Sequence, residues 1–79
     1  MREQLLKALG QEVRYLRAER RLSQEELADL CGFHRTYIGQ LERGERNPAL
    51  LNLLTLCRHL GVSLPEFFTR YETALGTFA

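Results

Sequence analysis

The stretch from Gln24 to Arg43, QEELADLCGFHRTYIGQLER, constrains the fold of this chain more than any other. It reads as two short helices broken by one glycine. Gln24 to Cys31 carries Leu27, Ala28 and Cys31 on one face, and Thr36 to Arg43 carries Tyr37, Ile38 and Leu41. Gly32 sits where a tight turn between the two helices needs a positive φ, which glycine adopts without a Cβ penalty. Ala28 is small, as the close approach of two helices at such a turn requires. The pair reads as a helix-turn-helix, a corner that leaves one side of its second helix exposed.

The flanking segments supply more helices to cover that inner side. Leu5, Leu9, Val13 and Leu16 recur at spacings of three or four and predict a first helix over about Arg2 to Arg20. Arg14, Arg20 and Arg21 lie off its apolar face. Ser23-Gln24-Glu25-Glu26 is a capping box that starts the second helix. Gly44 follows the third as its C′ residue, Asn47 can cap the fourth, and Pro48 suits that helix's first turn. The fourth helix is then expected over Pro48 to Leu60, closed by Gly61. Ser63-Leu64-Pro65-Glu66 repeats the capping box and starts a fifth helix bearing Leu64, Phe67, Phe68, Tyr71 and Leu75, with Phe78 beyond Gly76.

The third helix places Arg35, Thr36, Gly39, Gln40 and Arg43 outward. Arginine can bond bidentately to guanine O6 and N7, glutamine to adenine, and the threonine methyl can touch thymine. Their presence together on the outer side of a helix after a glycine turn fits a helix presented to the DNA major groove; a merely solvated polar face is the competing reading. Gly39 costs about 1 kcal/mol relative to alanine in a helix interior. Close approach to DNA would account for it, and so would neutral drift.

These residues, with the following LERGERNP, resemble the helix-turn-helix of the phage Cro/repressor-like (XRE-type) family of transcriptional regulators, over roughly Leu9 to Phe68. The resemblance implies an all-α, compact five-helix domain with the lambda-repressor-like DNA-binding fold. It implies a sequence-specific regulator that reads a palindromic operator in double-stranded DNA as a homodimer. The DNA-contacting set it carries over is Gln24, Arg35, Thr36, Tyr37, Gln40, Arg43, Arg46 and Asn47. Gln24 would neighbour phosphate, and Arg43, Arg46 and Asn47 would flank the recognition helix at the backbone or minor groove. Arg17 and Glu42 occupy positions that pair in this family, holding the recognition helix against the first. His34 stands where the family usually has serine or another small polar cap, so the start of the third helix is the least determined boundary. The run RTYIGQLERGERNP in so small a chain is similar to the controller proteins of restriction–modification systems; stand-alone phage-like repressors and antitoxin partners share these features.

Seventy-nine residues, of which 44% are hydrophobic and 27% charged, form one domain over 1–79 near the lower limit for an independent core. The net charge of +1 is permissive of nucleic acid rather than diagnostic, but it is unevenly spread. Residues 1–22 hold six basic and three acidic groups, while 23–32 hold three acidic and none basic. No nucleophile constellation, phosphate loop or poised carboxylate pair points to an enzyme. Cys31, His34, Cys57 and His59 do not match zinc-ligand spacing, so neither a metal nor another cofactor is expected, and no small-molecule ligand is evident. Buried free thiols at Cys31 and Cys57 fit a reducing compartment better than a disulfide does. No apolar run reaches membrane-span length and MREQLLKALG lacks a signal pattern, so a cytoplasmic location is expected.

The C-terminal segment, 62–79, is richer in large apolar residues than one helix can bury. With Leu51 on the fourth helix, Phe67, Phe68 and Tyr71 are the expected dimer contacts; the alternative is that they pack over the first helix and complete a monomer core. A rival reading keeps the fold and loses the DNA role, making the chain a protein-interaction module such as an antitoxin partner. Retention of Arg35, Thr36 and Gln40 favours DNA.

Overall fold

The chain folds into α1 (Arg2–Glu19), α2 (Gln24–Cys31), α3 (Arg35–Glu42), α4 (Leu50–Leu60) and α5 (Leu64–Leu75), in a computed structural model that describes residues 1–76. No strand occurs among the described residues. Two capping boxes set the phase of the helices they start. Ser23 Oγ accepts from the Glu26 amide at 3.0 Å, and Glu26 accepts from the Ser23 amide at 2.8 Å. Ser63 and Glu66 repeat the exchange at 3.1 and 2.9 Å. The amide of the serine lowers the pKa of each glutamate by hydrogen bonding to its charged form.

Val13, Leu27, Ala28, Ile38, Leu56 and Phe67 are fully buried and form the centre, with Leu16, Leu41, Leu53, Cys57 and Leu60 around them. They come from all five helices. Each helix contributes one stripe, because residues three and four apart share a face. Helix α1 packs on α3, α4 and α5, while α2 packs on α3 and α4.

The α1–α3 crossing is closer than ordinary side chains allow, and Gly10 is the reason. A Cβ there would stand 2.7 Å from the Glu42 carbonyl oxygen and 2.8 Å from its carbonyl carbon. Both are backbone atoms of the last turn of α3. A second contact lies one turn away, where a Cβ on Gly44, itself at φ +77°, would meet the Lys7 backbone at 2.9 Å. Glycine at 10 and 44 thus lets the end of α3 rest against the backbone of α1. The hydrophobic pattern of α1 gives no hint of this, since Gly10 interrupts it without breaking the helix.

Several boundaries and burials differ from expectation. Helix α1 ends at Glu19 with Arg20 as its cap, because Arg21 turns into the left-handed region at φ 56° and starts the corner. Helix α3 begins at Arg35, one residue early, because His34 caps it: its Nδ1 accepts from the Thr36 amide at 3.1 Å. Helix α4 begins at Leu50 rather than Pro48, with Ala49 as an extended N-cap and no side-chain cap bond. Asn47 therefore does not cap it. With Ala49 at ψ 152°, outside the helical region, Asn47 and Pro48 lie before the helix rather than at its cap and first turn.

Phe67 is the largest correction to the expected dimer surface. It is fully buried, because the α5 stripe Leu64, Phe67, Tyr71 is the one that faces the core. Tyr71 is half-buried and its hydroxyl donates to the Leu5 carbonyl at 2.9 Å, tying α5 to α1; burial raises the pKa of that phenol. Phe68, one residue off the stripe, is 39% exposed. Leu51 remains outside at 74% exposure, beside exposed Leu50 and Leu54. Phe78 lies outside the described residues. Cys57 is buried and Cys31 half-buried, both free, and desolvation raises both thiol pKa values.

Candidate nucleic-acid interface

The outer side of the α2–α3 corner is built on the Gly32 turn. Gly32 is left-handed at φ 75°, and the Phe33 amide reaches back to the Ala28 carbonyl at 2.8 Å. This closes α2 and aims α3 across it. Ile38 and Leu41 point inward, so the opposite side of α3 carries Arg35, Thr36 and Arg43 exposed and Gln40 half-exposed. Arg35, Thr36 and Arg43 border an open groove that runs on to Ser23, Gln24 and Glu25 at the start of α2.

A buried ion pair supports α3 from behind. Arg17 Nε donates to Glu42 Oε2 at 2.7 Å and its Nη2 to Oε1 at 3.0 Å, a bidentate fork. Arg17 Nη1 also donates to the Leu22 carbonyl at 2.7 Å, and Gln24 Nε2 donates to Glu42 Oε1 at 2.9 Å. The Glu42 side chain is only 3% exposed, so these donors together replace its lost hydration. The cluster joins α1, the α1–α2 turn, α2 and the end of α3. Gln24 is therefore tied inward by part of its amide rather than standing free at the helix N-terminus.

Gly39 lies in the middle of this surface yet is buried, covered by the tips of two side chains. A Cβ there would be 3.1 Å from Arg43 Nη1 and 3.5 Å from Gln24 Oε1. Both neighbours are side-chain tips that can give way, so packing within the free protein does not by itself require glycine at 39.

The two arginines on the face each hold a carboxylate. Arg35 Nη1 donates to Glu25 Oε2 at 3.1 Å, and Arg43 Nε donates to Glu45 Oε2 at 2.8 Å. The hydrogen bond between the second pair raises the Arg43 pKa and lowers that of Glu45. Both pairs are well exposed, so solvent screens much of their attraction. An incoming acceptor can share each arginine through the guanidinium nitrogens that its carboxylate leaves free. Neither carboxylate was singled out from the sequence; Glu25 lies ten residues from Arg35, a separation that only the turn at Gly32 converts into contact.

Tyr37 stands at the edge of the surface. Its ring packs edge-on against Phe33 with centroids 5.3 Å apart, and its hydroxyl accepts from Asn52 Nδ2 at 3.2 Å. Arg46 lies over the ring at 5.3 Å from its centroid. Arg46 and Asn47 are exposed on the loop after α3. The arrangement is a helix face bearing cations and amides, braced by the Arg17–Glu42 pair and flanked by a loop that carries Arg46.

The helix-turn-helix family signature matches residues 13–67. The control protein C.SmaI of Serratia marcescens is 48% identical over 62 residues, which cover 78% of this chain and 74% of that one. Among solved structures, the restriction–modification controller protein C.AhdI from Aeromonas hydrophila is 46% identical with a TM-score of 0.77, covering 80% of this chain and 96% of that chain. The controller protein C.Esp1396I, solved as a tetramer in complex with its natural 35 base-pair operator, is 31% identical with a TM-score of 0.83, covering 90% of this chain and 93% of that chain.

Proposed function

This chain belongs to the helix-turn-helix family, and from that membership we propose that it is a sequence-specific regulator of transcription that binds double-stranded DNA as a homodimer. The observation that carries the reading is the outer face of α3. Arg35, Thr36, Gln40 and Arg43 share it, and the Arg17–Glu42 pair holds it rigid from within. Arg35 opens the helix and reads a base edge, with Thr36 and Gln40 behind it. Arg46 and Asn47 position the backbone from the loop, while Gln24, Tyr37 and Arg43 line the edges of the contact. The likeness to controller proteins of restriction–modification systems supports control of such an operon as the physiological setting. The cytoplasm is then its place and binding, not catalysis, its work.

Dimerisation rests on Leu51, with Leu50 and Leu54 exposed beside it on α4 and Phe68 exposed on α5. Covering one such side chain yields roughly 1.5–3 kcal/mol, so a few per subunit decide association. Two copies related by a two-fold axis can read half-sites about 34–36 Å apart, which one recognition helix cannot. The same patch also favours a second reading, a protein-interaction module of antitoxin type. Selection from a random pool of duplexes separates the two. Enrichment of a palindrome is expected; recovery of duplexes with no shared motif would overturn the DNA reading.

A further inference from the structure

We infer that Glu25 is a positioning residue for DNA recognition, holding Arg35 on the base edge and away from phosphate. The inference rests on the proposed DNA role and deepens it. A carboxylate on a surface that faces a polyanion costs affinity, so its presence there needs a reason. Glu26, its neighbour, is committed to the Ser23 amide and explains itself as a cap. Glu25 takes no part in the capping bonds, and the helix N-terminus that favours an acid there does not choose its partner. It projects from the first turn of α2, and its Oε2 accepts from Arg35 Nη1 at 3.1 Å across the groove that Thr36, Gly39 and Arg43 also border.

The atom used matters. With Nη1 on Glu25, the Nε–Nη2 edge of Arg35 stays free, and that edge is a planar fork matched to guanine O6 and N7. The Arg17–Glu42 pair in this protein uses the same division of labour, with Nε and Nη2 on the carboxylate and Nη1 on the Leu22 carbonyl. An unheld Arg35, 69% exposed along its side chain, can swing to the nearest phosphate instead. That contact adds affinity for every sequence and information about none. Glu25 also repels phosphate from this corner of the face, so both effects raise selectivity at the expense of total affinity.

The test compares wild type with Glu25→Ala and Glu25→Gln, alone and with Arg35→Ala, on the duplex enriched by selection and on random duplex across a salt series. Glu25→Ala should bind random duplex several-fold more tightly, and its salt slope there should steepen by about one, as Arg35 takes up a phosphate. Discrimination at the base pair that Arg35 reads should fall about ten-fold. Glu25→Gln keeps an acceptor oxygen and should retain part of that discrimination. In the Arg35→Ala background, Glu25→Ala should no longer change base preference. An equal gain on all duplexes with base preference intact would make Glu25 only a repelling charge and overturn the inference, as would no change at all. If wild type enriches no motif, the DNA reading itself fails and this inference falls with it. If wild type enriches a motif and Glu25→Ala shares its base profile, only this inference falls.

Discussion

Gly10→Ala is the sharpest probe of how this fold is held. In an ordinary helix interior the change stabilises by about 1 kcal/mol, because alanine loses less backbone entropy. At Gly10 the new methyl would meet the Glu42 carbonyl at 2.7 Å, and the Leu41 carbonyl nearer still, where ordinary contact begins well beyond 3 Å. The obstructing atoms are backbone at the end of α3, so they cannot swing aside as a side-chain tip would. The α1–α3 crossing must open by several tenths of an ångström. Overpacking of this kind costs about 1–3 kcal/mol or more, and the opening also stretches the 2.7 Å Arg17–Glu42 contact across the same crossing. With a backbone clash at or above the upper end of that range, set against the propensity gain of about 1 kcal/mol, the net expectation is a loss of about 1–2 kcal/mol, or a fall in melting temperature of roughly 5–15 °C for a domain of this size. Gly39→Ala is the internal control. Its methyl would be 3.1 Å from the tip of Arg43, which can move, so the propensity gain should prevail and the variant should be stabilised. Urea and thermal unfolding followed by circular dichroism measure both. A Gly10→Ala protein as stable as wild type, or more so, would refute the reasoning.

Arg17→Ala leaves the buried Glu42 carboxyl with only Gln24 as a partner, and should cost about 1–3 kcal/mol in urea unfolding; no loss would mean the pair is not the brace of α3. Leu51→Glu should leave unfolding of the subunit unchanged and abolish association in sedimentation at micromolar concentration, and a variant that still dimerises would move the interface elsewhere. Glu66 and Glu26 have folded pKa values below the ordinary 4.5, so the stability they add is present above that value and is lost as pH falls through the lower, folded pKa values. Glu66→Gln should therefore flatten the decline of melting temperature below about pH 4.5, and an unaltered profile would remove the capping carboxylate as its cause.

Much of the architecture is legible in the chain because it is local. A serine three residues before a glutamate, as at Ser23 and Ser63, starts a helix through contacts that span one turn, and no distant residue is needed to decide it. Gly32, Gly44 and Gly61 mark their turns for the same reason, each in the left-handed region where a side chain is strained. The outer residues of α3 follow once Ile38 and Leu41 are taken inward, since a helix has only one opposite side. The Arg17–Glu42 pairing is different in kind: it was expected from a resemblance, not from any short-range pattern.

Tertiary structure decided the rest, because it depends on how helices far apart in sequence approach one another. Phe67 and Phe68 are adjacent and chemically identical, and only the angle at which α5 docks on α1 and α4 sends one to the core and leaves the other 39% exposed. Gly10 reads as a blemish in a helix until the α3 carbonyls are laid against it. Glu25 reads as one more acid in a cap until the Gly32 turn brings Arg35 within 3.1 Å. Helix periodicity assigns a residue to a face; the crossing angle and separation of packed helices, which arise from the summed shapes of all the stripes, assign it a neighbour.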